Sequence, residues 1–127
     1  MQTTTVQPSG YVERPDYRVD LLRRRNRVTV RHGDQVLAET NASILVDEQD
    51  HGLVFYLPRT DVRLDLLVGT DDHSRCPFKG DASYWRLADG TEPVAWTYET
   101  PYPEVAAIAG YLAFYQDRVH VEVGQAG

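Results

Sequence analysis

Apolar and polar residues alternate with a period of two through much of this chain. Residues 27–31 and 35–39 alternate on either side of His32-Gly33-Asp34, and β-branched alternation around a glycine-containing turn predicts a hairpin. Val28, Val30, Val36 and Ala38 form its expected core face. Residues 43–47 and 53–57 repeat the pattern across Glu48-Gln49-Asp50-His51-Gly52, which predicts a second hairpin. Upstream, residues 17–22 alternate loosely enough for a first strand, interrupted by Arg23-Arg24-Arg25-Asn26.

The period changes after Pro58. Thr60 is placed to cap a short helix over 61–67, with Val62 and Leu66, four apart, on its buried face. Residues 69–74 read as a polar loop. Residues 82–87 and 93–98 flank Ala88-Asp89-Gly90 and predict a third, aromatic-rich hairpin. Alternation puts Tyr84 and Arg86 opposite Trp85 and Leu87, and Trp96 with Tyr98 on one face. Pro101-Tyr102-Pro103-Glu104 opens a second short helix, with Val105, Ile108 and Ala109 as its apolar stripe and Gly110 as its stop. Residues 111–115 and 118–123 read as closing strands. The expected fold class is therefore mainly β, a small antiparallel domain with two short helices.

Size and charge narrow the function classes. With 127 residues and no internal repeat or linker, one β domain is expected over 11–127, preceded by a flexible tail over 1–10. The start carries no basic cluster followed by an apolar run, and no window approaches the length of a membrane span. A cytoplasmic, bacterial-type protein without a membrane partner is the expectation. Residues 1–31 hold seven arginines and three acids, against six basic residues and sixteen acids in the remainder. An acidic body disfavours nucleic acid as a partner. No aromatic residues interleave with Arg23-Arg24-Arg25, so it reads as a solvated strand end. The sequence leaves the oligomeric state open.

The chemistry concentrates in residues 75–85, which hold the only cysteine, the only lysine and one of two tryptophans. Twelve arginines accompany that single lysine, so Lys79 marks a place where a compact ammonium is wanted, unless its singularity is chance. Cys76 is the strongest available nucleophile; Arg75 and Lys79 flank it, and nearby cations favour a thiolate. The competing reading is that Cys76 only packs. His32, His51, His73 and His120 are scattered and read as surface residues rather than as a base for Cys76. His73 and Cys76 stand three apart, but one cysteine falls short of a structural zinc site, so no metal and no cofactor are expected. Arg59, Arg63 and Arg75 could hold a phosphate or carboxylate by their guanidinium forks, while Tyr84, Trp96 or Tyr98 packs on an attached ring.

Four segments carry a resemblance: Phe55-Tyr56-Leu57-Pro58-Arg59-Thr60-Asp61-Val62, Cys76-Pro77-Phe78-Lys79-Gly80-Asp81-Ala82-Ser83-Tyr84-Trp85, Ala95-Trp96-Thr97-Tyr98, and Ile108-Ala109-Gly110-Tyr111-Leu112-Ala113-Phe114. In this order they resemble the domain of unknown function 427 family over about residues 11–123. The resemblance implies a small antiparallel β domain similar to the β-tent, Mss-four-like proteins, many of which hold zinc through two cysteine pairs that this chain lacks. The family also carries the label of a nucleotidyltransferase, so the resemblance brings in nucleotidyl transfer as an alternative reading. That chemistry commonly uses two metal ions held by close carboxylates, and Asp61, Asp65, Asp71 and Asp72 do not form such a set by spacing.

Three functional readings follow. The first is a pocket for a small anionic or aromatic ligand, lined by Cys76, Lys79, Tyr84, Trp96 and Tyr98 with Arg59, Arg63 and Arg75 at its mouth. In its catalytic version Cys76 is the nucleophile and Lys79 stabilises its thiolate or a developing anion. The second is a nucleotidyltransferase, and the third a non-enzymatic interaction module in which the motif only fixes a turn.

Overall fold

The period-two segments all form strands in the computed structural model, which describes residues 9–126. The strands are β1 (Val19–Arg23), β2 (Asn26–His32), β3 (Gln35–Thr40), β4 (Ile44–Glu48), β5 (Val54–Leu57), β6 (Leu67–Cys76), β7 (Gly80–Leu87), β8 (Pro93–Tyr98), β9 (Leu112–Phe114) and β10 (His120–Ala126). They build a seven-stranded sheet in the order β1-β4-β5-β9-β8-β7-β6 and a three-stranded sheet in the order β10-β2-β3. Every pairing is antiparallel. The chain is mainly β, as its alternation predicts.

Alternation gives each face of the larger sheet its own apolar cluster. One face carries Leu57, Leu67, Leu87, Ala95, Leu112 and Phe114, which pack with Val28, Val30, Leu37 and Ala38 of the smaller sheet. The opposite face carries Ile44, Val46, Tyr56, Ala82, Tyr98 and Ala113, joined by Val105 and Ile108 from the segment between β8 and β9. Trp85 belongs to the first cluster and Tyr84, Trp96 and Tyr98 to the second, so the predicted facing of the aromatic hairpin holds.

Several expectations are corrected. Residues 61–67 form no α-helix: two single 3-10 turns, Arg59–Asp61 and Leu64–Leu66, lie on either side of Val62, whose extended backbone bridges to Ala38. Thr60 lies within the first turn and caps nothing. The interval 69–74 is not a loop but the middle of β6, whose pairing with β7 slips between Gly69 and His73. A register shift between Val30 and Arg31 turns Leu37 into the core, where it is fully buried, and leaves Val36 half-buried. The second helical segment, Pro103–Ile108, is 3-10 helix; Val105 and Ile108 are buried while Ala109 is exposed. Gly110 ends it with φ +75°, a conformation that costs glycine least.

Of the expected tail, residues 1–8 lie outside the described residues. Gly10, its last residue, is anchored: its N–H donates to the Pro77 carbonyl at 2.6 Å, and it begins a 3-10 turn, Gly10–Val12. Among the described residues no helix is long and apolar enough to cross a membrane.

Candidate functional site

The site begins as a turn. Lys79 N–H donates to the Cys76 carbonyl at 3.3 Å, closing a β-turn with Pro77 in its second position, where its fixed φ is suited. Gly80 follows at φ +116° and pairs across the hairpin with Cys76. A side chain at Gly80 would also press on the Pro101 Cα and the Thr100 carbonyl oxygen, each 3.4 Å from the Cβ position. The residues 76–80 are therefore the tight connection between β6 and β7, with Cys76 and Lys79 at its two ends.

Around this turn a row of side chains crosses the sheet. Cross-strand pairing sets Ile44 beside Tyr56, Tyr56 beside Ala113, Ala113 beside Trp96, and Trp96 beside Tyr84. Ala113 contributes only a methyl group, and across it Trp96 Nε1 donates to the Tyr56 hydroxyl at 3.0 Å. Two residues further along β8, on the same face, Tyr98 pairs with Ala82, a second small residue. Large aromatics beside alanines leave a hollow in this face. The hollow is a cavity of about 740 Å³, lined by Cys76, Lys79, Tyr84, Trp96 and Tyr98 together with Tyr17, Glu48, Tyr56 and Tyr115. Leu53, exposed, and Phe114, buried, also border it.

Lys79, in the cavity lining, is buried and is ion-paired to Glu48, which is equally buried. The Tyr17 hydroxyl donates to the other Glu48 oxygen, and His51 Nε2 stands 3.5 Å from that oxygen. Burial on its own would raise the Glu48 carboxyl, but the hydrogen bonds from Lys79 and Tyr17 and the Lys79 charge outweigh it and hold the carboxyl below its ordinary value. Burial, then the hydrogen bond to Glu48 and its charge, pushes the Tyr17 hydroxyl up. Lys79 Nζ lies 3.9 Å from Cys76 Sγ. Tyr98 is pushed up by burial first and then by Tyr56, Cys76 and Tyr84. Tyr17 stacks on Phe78 of the turn with centroids 3.6 Å apart, so the N-terminal segment clamps the turn from outside.

Five of the residues singled out from sequence thus share one cavity: Cys76, Lys79, Tyr84, Trp96 and Tyr98. The three arginines do not join them. Arg59 binds Glu99 at 2.9 Å and covers the Trp85 ring on the other face of the sheet; Arg63 pairs with Asp65; Arg75 donates to the Tyr102 hydroxyl at 2.6 Å. Each is satisfied outside the cavity wall by a neighbour that spacing alone does not reveal. The carboxylates weighed for metal binding are likewise dispersed: Asp61 accepts from Thr40 Oγ1 at 2.7 Å, Asp65 holds Arg63, and Asp71 and Asp72 are exposed on β6. Among the described residues no three His, Cys, Asp or Glu side chains stand together as a metal set.

Glu48, Tyr17 and Tyr56 are among the cavity residues that sequence reading missed. The signal for Glu48 is present in the alternation: Ile44, Val46 and Glu48 share one strand face, so an acid falls in line with two core residues. An acid in that position requires a buried partner, and the single lysine supplies it.

No curated protein matches the chain. Residues 20–125 match the family model described as a domain of unknown function, DUF427. The segments that carry the resemblance, from Phe55 to Phe114, all fall within that span, and with most of its length matched the chain belongs to the DUF427 family.

Proposed function

We propose that the chain is a small-molecule-binding domain whose ligand carries a planar aromatic ring seated in the cavity above Ala113. The observation that carries this reading is convergence: three strands, β5, β7 and β8, and the β6–β7 turn direct Tyr56, Tyr84, Trp96, Tyr98 and Cys76 into one hollow. Its volume, about 740 Å³, falls in the range of ligand sites, and apolar walls with a few polar groups are the usual composition of such sites. Ring faces favour another ring in offset or edge contact.

The charge balance selects between the two ligand chemistries expected from sequence. Glu48 and Asp117 line the cavity with Lys79, and Lys79 is already matched by Glu48. No arginine of the expected three lines it. Recognition of an aromatic ring is therefore favoured over recognition of an anion.

The test is a titration with p-cresol, an uncharged aromatic probe, followed by tryptophan fluorescence. Saturable quenching is expected, kept in Trp85→Phe, whose indole lies on the other sheet face, and lost in Trp96→Phe. Absence of a saturable change in the native chain would sink the reading and leave the interaction module as the better account.

A further inference from the structure

We propose that Cys76 adds to conjugated carbonyl compounds bearing an aromatic ring, so that the cavity captures such molecules as thioethers. This deepens the reading of the cavity as an aromatic site and rests on it. Cys76 is half-buried and in the cavity wall, open to whatever the cavity holds. Lys79, only 7% exposed, lines the same cavity. Of the three N–H donors of its ammonium, one is engaged by Glu48 and one faces Cys76 Sγ at 3.9 Å. The third is left for a ligand oxygen.

These groups match what conjugate addition requires. A sulfur lone pair forms the S–C bond at the β-carbon. The C=C π pair shifts toward the carbonyl, whose oxygen gathers negative charge and accepts from the Lys79 ammonium. The thiol proton passes through water to the α-carbon. The net change is S–H added across C=C, with no leaving group, oxidant or co-reactant. An aryl ring conjugated with the carbonyl makes the whole acceptor flat, the shape that the aromatic walls accommodate. The Glu48 ion pair fixes Lys79, so the donor is in place before the ligand arrives.

The test measures adduct formation by intact mass on the native chain with benzylideneacetone, with methyl vinyl ketone as the ringless control and glutathione as the free-thiol reference. A rate that saturates with benzylideneacetone concentration, exceeds that of glutathione, and is competed by p-cresol is expected. Lys79→Met should lower the maximal rate by at least about tenfold, the modest side of what a donor to a developing oxyanion contributes. If Lys79→Met does not fold, judged by circular dichroism, the saturation and the ratio to glutathione in the native chain decide alone. An unsaturable rate equal to that of glutathione, with p-cresol still bound, overturns the capture while the aromatic site stands. Loss of p-cresol binding as well overturns both.

Discussion

Lys79 and Glu48 make a buried ion pair whose two halves depend on each other. Removing one partner of such a pair strands the other charge, which costs about 3 kcal/mol. Lys79→Met is therefore expected to lower the melting temperature by roughly 10 °C for a chain of this size, whereas replacing exposed Lys-like charges elsewhere would not; calorimetry checks it. The pair also predicts a pH dependence. The Glu48 carboxyl is depressed in the folded state, so its contribution to stability is complete above the ordinary carboxylate value of about 4.3 and is lost as the pH falls below that value through the folded one. Thermal melts from neutral pH downward should show the loss, and Glu48→Gln should start lower at neutral pH and decline less steeply. Of these two residues only Lys79 was legible, through its singularity. Glu48 escapes the sequence because the alternation of the second hairpin ends at Asp47, one residue before the acid on the core face of the strand.

At the scale of the element, the hairpins were legible and the helices were not. β2–β3, β4–β5 and β7–β8 each carry their alternation on both arms, and pairing has the period that the sequence displays. The segment 61–67 has apolar residues four apart, but Val62 bridges to β3 and Leu67 begins β6, so tertiary pairing overrides local spacing. β6 was hidden because an edge strand has a partner on only one side and can carry exposed Asp71, Asp72 and His73, which blunts the edge against further pairing. The β6–β7 turn makes its own prediction. Gly80→Ala places a side chain at φ +116° against the backbone of Pro101 and Thr100, and a loss of about 1–3 kcal/mol is expected in denaturant unfolding. On the row beneath the cavity, Ala113→Leu should destabilise by about 1–3 kcal/mol through overpacking, separate Tyr56 from Trp96, and weaken p-cresol binding in the fluorescence titration.

Over the whole molecule, the two faces of the seven-stranded sheet have different fates. One is covered by the three-stranded sheet and forms a closed core; the other is covered only in part, by the segment Pro103–Ile108 and by the N-terminal residues around Tyr17. The cavity is the part of that second face left uncovered, which is why its walls are aromatic core residues. The closure by the N-terminal segment is close: a Cβ at Gly10 would meet the Phe78 ring at 2.7 Å, and Phe78 is held by its stack on Tyr17. Gly10→Ala should therefore cost about 1–3 kcal/mol in thermal or denaturant unfolding. The most direct test of the aromatic site is a map of amide and indole chemical shifts during titration with p-cresol. Saturable shifts centred on Tyr56, Cys76, Tyr84, the Trp96 indole N–H and Tyr98, with little change at Trp85, are predicted; shifts that are absent, unsaturable, or centred on the opposite face of the sheet would contradict it.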